Sequence, residues 1–162
     1  MDPAMTDLKI RYATPADVDA VAVLFDAYRQ FYAQPADLPR AIQFVRARLE
    51  KVESVILLAI DADGIAVGFC QLYPSFCSVE AQPIYTLYDL FVDPATRRTG
   101  AGRALLLAAE HHAAQAGVAR LDLTTAKTNT TAQSLYESLG WVRDEVFYAY
   151  SRRVDEPGKS VK

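Results

Sequence analysis

A short run of arginines and glycines is the segment of the chain best suited to chemistry. It lies between a predicted strand and a predicted helix, and its members are Arg97, Arg98, Thr99, Gly100, Ala101, Gly102 and Arg103. Glycines let backbone N–H groups turn towards one point, and the start of a helix favours anions. Arginine side chains add charge-assisted hydrogen bonds to phosphate oxygens. The run predicts a phosphate-binding loop; the alternative is a glycine turn with solvated arginines.

Two familiar nucleotide-binding loops do not fit this segment. A Walker loop requires a lysine and then a serine or threonine after its last glycine, and this sequence has neither there. A dinucleotide loop requires a third glycine where Leu105 stands, and it follows the first strand of its domain. The sequence therefore disfavours an ATP site and an NAD site.

The composition is that of a folded globular protein. Of the 162 residues, 51% are hydrophobic and 23% are charged, and the formal net charge is −3. A dedicated nucleic-acid binder usually carries a basic excess. No apolar run reaches the roughly 18 residues of a membrane span, and the N-terminus lacks a signal-peptide core. We therefore expect a cytoplasmic protein that binds neither nucleic acid nor membranes.

The two cysteines, Cys70 and Cys77, have no partner at metal-ligand spacing. We expect them to be small buried hydrophobic residues, and we predict no metal site.

Hydrophobic periodicity and turn residues predict the element order β, α, α, β, β, β, α, β, α, β. This order indicates an α/β (α+β) fold with one mixed sheet. A single domain is predicted at residues 8–153, between an N-terminal extension of residues 1–7 and a polar tail of residues 154–162. The predicted strands include residues 54–61, 65–73, 84–92, 118–125 and one or two strands within 141–153; the predicted helices include residues 37–51, 101–117 and 129–139.

Two motifs give the chain a family resemblance. The sequence from Arg97 to Gly102 matches [Q/R]-x-x-G-x-[G/A], and a second block from Asn129 to Trp141 matches N-x-x-A-x-x-L-Y-x-x-x-G-[F/W]. In this order, the two blocks resemble the GNAT superfamily of N-acetyltransferases. The resemblance implies a central mixed sheet that is splayed at the fourth strand, with helices on both faces.

The resemblance also implies roles for individual residues. Backbone groups of Phe91 and Val92 would pair with the pantetheine arm of acetyl-coenzyme A, and the loop at 97–103 would hold its pyrophosphate. Asn129 would contact the cofactor arm. Tyr136 would lie near the thioester sulfur as the general acid. These roles make acetyl-coenzyme A the expected co-substrate.

The acceptor side of the predicted site is less defined by motifs. Asp89 on the fourth predicted strand is the candidate general base, and the alternatives are a structural carboxylate or a water relay. The polyamine-acetylating branch of the family carries Glu-Asp at this point, whereas this chain has Tyr88 before Asp89. Tyr28, Tyr32 and Tyr88 are candidate residues of an acceptor groove, since aromatic faces suit a cation.

The predicted activity is acetyl transfer from acetyl-coenzyme A to a primary amine of a small molecule, by direct attack on the thioester. Acetylation of a peptide or protein lysine is the second candidate. A non-catalytic acyl-coenzyme A-binding module is the candidate from a different class. Dimers are common in the family, so a homodimer is an expectation of the resemblance alone.

Overall fold

The computed structural model describes residues 7–96 and 99–154. The chain divides into two compact units, one up to Thr124 and one from Thr125 onward. The strands are β1 (Lys9–Tyr12), β2 (Val55–Ile60), β3 (Ala66–Cys77), β4 (Gln82–Val92) and β5 (Leu121–Asp122), and the helices are α1 (Val18–Phe31), α2 (Leu38–Glu50), α3 (Ala101–Ala116) and α4 (Thr130–Ser138).

The first unit is built on a five-stranded mixed sheet in the order β1-β2-β3-β4-β5. Strands β1 to β4 pair in antiparallel fashion, and β5 lies parallel to β4. A parallel neighbour requires a crossover connection, and α3 lies within the crossover from β4 to β5. This topology confirms the predicted fold class, and it places the start of α3 shortly after the end of β4.

Helices cover both faces of the sheet in this unit. On one face, α1 and α2 contribute Val21, Phe25 and Val45 to a buried cluster that includes Phe69 of β3 and Phe91 of β4. On the other face, the Cys70 thiol approaches the backbone oxygen of Leu105 on α3 at 4.0 Å. Cys70 is fully buried, as predicted, whereas Cys77 is only half-buried.

Asp17 stabilises the turn that leads into α1. Its carboxylate accepts a hydrogen bond from the Thr14 backbone N–H at 2.8 Å and two from the Arg11 guanidinium, each at 2.8 Å. These bonds, with that of Arg11 the strongest, lower the pKa of Asp17 from 3.8 to about 2. A lowered pKa adds stability above the unfolded value, and that stability is lost as the pH falls towards the folded value.

We therefore expect Asp17→Asn to lower the free energy of unfolding by about 1 kcal/mol at pH 7, a value reduced for the exposure of Arg11. The asparagine keeps an acceptor for the Thr14 N–H, so the loss reports mainly the charge. Urea unfolding should show the difference shrinking between about pH 4 and pH 2. A difference of equal size at both ends of this range would mean that the charge of Asp17 is not responsible.

A β-bulge in β4 changes which face its side chains occupy. Gln71 lies opposite Asp89 but Leu72 lies opposite Leu87, so Tyr88 has no opposite residue on β3. Before the bulge, Tyr85 contacts His112 of α3. After it, Phe91 packs in the cluster beneath α1 and α2. The extra residue therefore turns Asp89 from the α3 face to the face of α1 and α2.

Two predictions for the last part of the chain were wrong. The strand predicted at residues 118–125 is limited to Leu121–Asp122, and the described residues 141–154 contain no strand. A strand forms only where a neighbour completes its hydrogen bonds. The side chains of Phe147 and Tyr150 are more than four-fifths exposed, so strand-favouring residue types there are not packed on a sheet.

No helix within residues 7–96 and 99–154 is both long enough and apolar enough to cross a membrane.

Candidate active site

Asp89 is a buried carboxylate at the centre of the candidate site. Its exposed fraction is 3%. The amide of Gln71, the residue opposite it on β3, donates a hydrogen bond from Nε2 to Asp89 Oδ2 at 2.5 Å. Ser54 in turn donates from its hydroxyl to Gln71 Oε1 at 2.7 Å. The carboxylate is thus held by a chain of two side chains, Gln71 on the neighbouring strand β3 and Ser54 just before β2.

The hydroxyl of Tyr28 on α1 provides a second contact to this carboxylate. It donates a hydrogen bond to the backbone oxygen of Tyr88 at 3.3 Å, and it lies near enough to Asp89 to lower the pKa of that carboxyl. A phenol has a single proton to donate. Because the bond to the carbonyl is long and a charged carboxylate is a stronger acceptor, an ionised Asp89 competes with that carbonyl for the Tyr28 proton.

Burial raises the pKa of Asp89, and the hydrogen bonds from Gln71 and Tyr28 partly offset that effect. A carboxylate with a raised pKa holds a proton more tightly than an exposed one and is better matched to accept one near neutral pH. Burial, followed by the charge of Asp89, raises the pKa of Tyr28 and of Tyr73. Both phenols therefore stay neutral and act as donors.

The tyrosines predicted from the sequence lie around this carboxylate. The ring of Tyr28 contacts that of Tyr32 edge-on at 5.1 Å, and the ring of Tyr88 contacts that of Tyr73 at 5.7 Å. Tyr32 and Tyr88 are largely exposed, with fractions of 46% and 66%. Asp89 is therefore a buried carboxylate with exposed aromatic rings close by: Tyr88 precedes it on β4, and Tyr32 packs on Tyr28.

Gln71 and Ser54 were not predicted as site residues. The available signal was a lone glutamine within an apolar strand, FCQLY. A fully buried amide requires partners for its donors and acceptor, but the sequence does not say that one partner lies 18 positions further along the chain.

Within residues 7–96 and 99–154, the edge of β4 that faces away from β3 has no paired strand beyond Thr86. Strand β5 pairs with β4 at Tyr85 and Thr86. The Asp93 N–H donates to the Val67 oxygen at 2.8 Å, and hydrogen-bonded pairs alternate along an antiparallel ladder. The backbone groups of Phe91 therefore point to β3, and those of Leu90 and Val92 point to the open edge.

The start of α3 has the features of an anion site. Gly100 is its N-cap with φ of 83°, a left-handed conformation that favours glycine. An α-helix leaves its first N–H groups without intrahelical acceptors, and glycine has no side chain to accept them. These groups belong to Ala101, Gly102 and Arg103.

The other residues of the predicted loop are only partly described. The Thr99 hydroxyl donates to the Thr96 backbone oxygen at 2.7 Å, while Arg97 and Arg98 lie outside the described residues.

The remaining predicted site residues, Asn129 and Tyr136, belong to the second unit. Asn129 is the N-cap of α4, and its side-chain oxygen accepts the Ala132 N–H at 3.2 Å. This capping role was not anticipated. Tyr136 is half-buried on α4, where its ring contacts that of Trp141 at 6.0 Å.

The family model described as "Acetyltransferase (GNAT) family" matches residues 20–141. The chain belongs to this family. The acetyltransferase is 48% identical over 147 residues to the "Uncharacterized N-acetyltransferase YhfO" of Bacillus subtilis (strain 168), covering 91% of this chain and 98% of that protein. Over 139 residues it is 30% identical to aminoglycoside N(6')-acetyltransferase type 1 of Stenotrophomonas maltophilia, covering 84% and 87%.

A solved structure agrees with this assignment. The crystal structure of a probable acetyltransferase superposes on the GNAT acetyltransferase with a TM-score of 0.85 and 34% identity, covering 91% of this chain and 99% of that one. The family, the fold and the activity class predicted from the two motifs are thereby confirmed: the chain is a GNAT N-acetyltransferase. Acetyl-coenzyme A is the acetyl donor of this family.

Proposed function

We propose that this N-acetyltransferase moves the acetyl group of acetyl-coenzyme A to a primary amine of a small molecule, by direct attack of the amine on the thioester. The observation that carries the proposal is the arrangement of Asp89. It is a buried carboxylate with a raised pKa; Tyr88, which precedes it on β4, and Tyr32, which packs on Tyr28, have exposed rings. Asp89 lies on the part of β4 beyond Thr86, where β5 no longer pairs with the strand.

The described residues fit acetyl-coenzyme A at two places. Backbone groups of Leu90 and Val92 at the open edge of β4 can pair with the amides of an extended pantetheine arm. The first N–H groups of α3 suit the pyrophosphate, since a helix start favours negative charge. We assign Arg97 and Arg98 to the same phosphates on the family motif. The bound thioester supplies an activated acetyl group whose thiol has a pKa near ~8.5.

The proton balance explains why a base is useful. A lysine-type amine has a pKa near ~10.4, so about one molecule in 2,500 is neutral at pH 7, which is equivalent to roughly 4–5 kcal/mol. Asp89 is proposed to take the amine proton, directly or through water. Tyr136 is proposed, on the family motif, to return a proton to the departing sulfur. Asn129 is proposed to contact the cofactor arm through the side-chain nitrogen, since its oxygen caps α4.

A small amine is the favoured acceptor because of the groove residues. Tyr28, Tyr32 and Tyr88 are proposed to offer aromatic faces to a cation near the buried carboxylate of Asp89. A relative of similar length carries the name of an aminoglycoside N(6')-acetyltransferase, and aminoglycosides are small amines.

The experiment is an acceptor screen. The protein is mixed with acetyl-coenzyme A and, separately, with aliphatic amines, amino acids, aminoglycosides and lysine peptides. Free thiol and the product mass are then measured. We expect amine-dependent thiol release with at least one small amine. Transfer to peptides alone would replace the acceptor class, and coenzyme A binding without any transfer would favour a binding module.

Gly68 allows β3 to approach β4 where the pantetheine arm is proposed to pair. A Cβ there would lie 3.0 Å from the backbone oxygen of Phe91 and 3.3 Å from a methyl group of Val92. The backbone oxygen cannot move unless β4 moves, so Gly68→Ala should raise the KM for acetyl-coenzyme A several-fold. It should also lower the free energy of unfolding by about 1–3 kcal/mol.

Gly64→Ala is the control for this substitution. Gly64 has φ of +80° in open space within the turn between β2 and β3, so alanine strains the backbone by roughly 1 kcal/mol without touching β4. Steady-state kinetics and urea unfolding of both variants separate the two effects. An unchanged KM in Gly68→Ala would argue against cofactor pairing along β4.

A further inference from the structure

The hydrogen bonds that link Ser54, Gln71 and Asp89 all point the same way, from donor to acceptor towards the carboxylate. An ionised carboxylate only accepts hydrogen bonds, so the Gln71 amide must present its NH₂ group to Asp89. The Ser54 hydroxyl donates to the other end of the same amide at 2.7 Å. Ser54 thereby satisfies the amide oxygen of Gln71 in the orientation that supports a charged Asp89.

The hydrogen bond from Gln71 to Asp89 matters because both side chains are buried. Gln71 is 1% exposed and Asp89 is 3% exposed, so water does not replace a lost hydrogen bond at low cost. The two residues lie directly opposite each other on β3 and β4, and the bulge at Tyr88 begins immediately beside them. The pairing of β3 with β4 therefore fixes the contact between Gln71 and Asp89.

We infer that Gln71, held by Ser54, is a positioning residue that keeps the Asp89 carboxylate ionised and fixes its rotation for proton transfer. This inference rests on the proposed function, because Gln71 acts only through Asp89. It assigns a catalytic consequence to two residues that lie outside both family motifs.

Among the described residues, burial and the charge of Asp89 raise the pKa values of Tyr28, Tyr73 and Cys70, and none of these three groups titrates between about pH 5 and pH 8. The phenols of Tyr28 from α1 and Tyr73 from β3 have raised pKa values, and burial raises the pKa of the Cys70 thiol to about 12. The charge of Arg48 on α2 also acts on Tyr73. A change in the acid limb between about pH 5 and pH 8 therefore reports Asp89.

The test is the pH dependence of kcat, which reports groups of the substrate complex. Gln71→Met keeps the length of the side chain and removes the donor. We expect the acid limb to move up by about one pH unit, with kcat reduced about tenfold below it and largely recovered at higher pH. Ser54→Ala should move the limb in the same direction by less. An unmoved limb in both variants would overturn the inference.

Two controls separate this role from a structural one. Gln82→Met changes an exposed glutamine at the start of β4 and should leave the profile unchanged. Adding Gln71→Met to Asp89→Asn should lower kcat no further, since residues that act through one group are not additive. A further loss in the double variant would contradict action through Asp89. Ser54→Ala leaves the buried glutamine in place, so the test stands even if Gln71→Met fails to fold.

A readout without catalysis distinguishes the inference from the proposed function. The unfolding free energy of each protein, compared with its Asp89→Asn counterpart across pH, gives the pKa of Asp89 by linkage. That pKa should rise in Gln71→Met even if no acceptor amine is found. Full activity in Asp89→Asn would instead contradict the role of Asp89 as the base. An unchanged pKa of Asp89 in Gln71→Met would contradict only the role of Gln71.

Discussion

Asp89→Asn is expected to lower kcat by at least a hundredfold while making the protein more resistant to unfolding at neutral pH. The loss follows because the amide cannot accept the amine proton, and a positioned base contributes roughly 10²–10⁴ in rate. Asparagine keeps the shape of the side chain, and its oxygen can still accept the Gln71 hydrogen bond.

The gain in stability follows from the raised pKa of Asp89, whose main cause is burial. A raised pKa means that the stability contribution is fully present below the unfolded value, near ~3.9, and is lost as the pH rises through the folded value. The wild-type protein is thus destabilised by a buried charge at neutral pH, and Asp89→Asn removes that charge.

Urea unfolding at several pH values, together with acetyl-transfer assays, checks both halves of this result. The stability curves should nearly meet around pH 4 and separate as the pH rises, with the variant above the wild type. Glu80→Gln, which neutralises an exposed carboxylate paired with Arg120, is the control and should leave kcat unchanged. A variant that is both active and no more stable would show that Asp89 is a structural carboxylate.

The second large effect is expected at the start of α3. Gly100→Ala should raise the KM for acetyl-coenzyme A tenfold or more. A φ of 83° is unfavourable for alanine, so the backbone would shift and the N–H groups of the first turn would no longer point towards the pyrophosphate. Gly117 provides a matched control. It caps the other end of the same helix with φ of 72°, and a Cβ there meets no atom within 4 Å.

Gly117→Ala should therefore strain the backbone by a similar amount, roughly 1–2 kcal/mol, and leave the KM unchanged. Titration calorimetry with coenzyme A and with pantetheine, which lacks the phosphates, would show which part of the cofactor loses affinity. Gly100→Ala should weaken the binding of coenzyme A and leave the binding of pantetheine unchanged. Equal weakening of coenzyme A binding by both glycine variants would show that the helix, not its start, matters.

Much of the framework could be predicted because its signals are local. The helix ends at Gly117 and Gly140 have the positive φ values that the sequence suggested, 72° and 91°. The run at 97–103 indicated an anion site from residue types alone, and a second block at a fixed distance identified the family. Signals of this kind depend on neighbours along the chain, which the sequence displays directly.

The surroundings of Asp89 could not be predicted because they depend on register. The strand sequence IYTLYDLFV shows no sign of the bulge at Tyr88, which decides the face on which Asp89 lies. Gln71 becomes its partner only through pairing of β3 with β4. The last predicted strands failed for a related reason: the residue types of 141–153 favour strands, but a strand also requires a neighbour.

The prediction for Asn129 shows a further limit. The motif assigned it to the cofactor arm, and the structure shows that its oxygen caps α4. One side chain can serve both purposes, since the amide has a donor and an acceptor end.

Direct transfer of the acetyl group to the amine is tested most directly by following the acetyl group itself. Protein is mixed with acetyl-coenzyme A that carries an isotope label in the acetyl group, first alone and then with the best amine from the screen. Mass spectrometry of the protein and of the amine then locates the label. Direct transfer with Asp89 as the base predicts no label on the protein, label on the amine nitrogen, and transfer reduced at least a hundredfold in Asp89→Asn. Tight coenzyme A binding with no labelled amine, or label retained on a side chain of the protein, would contradict it.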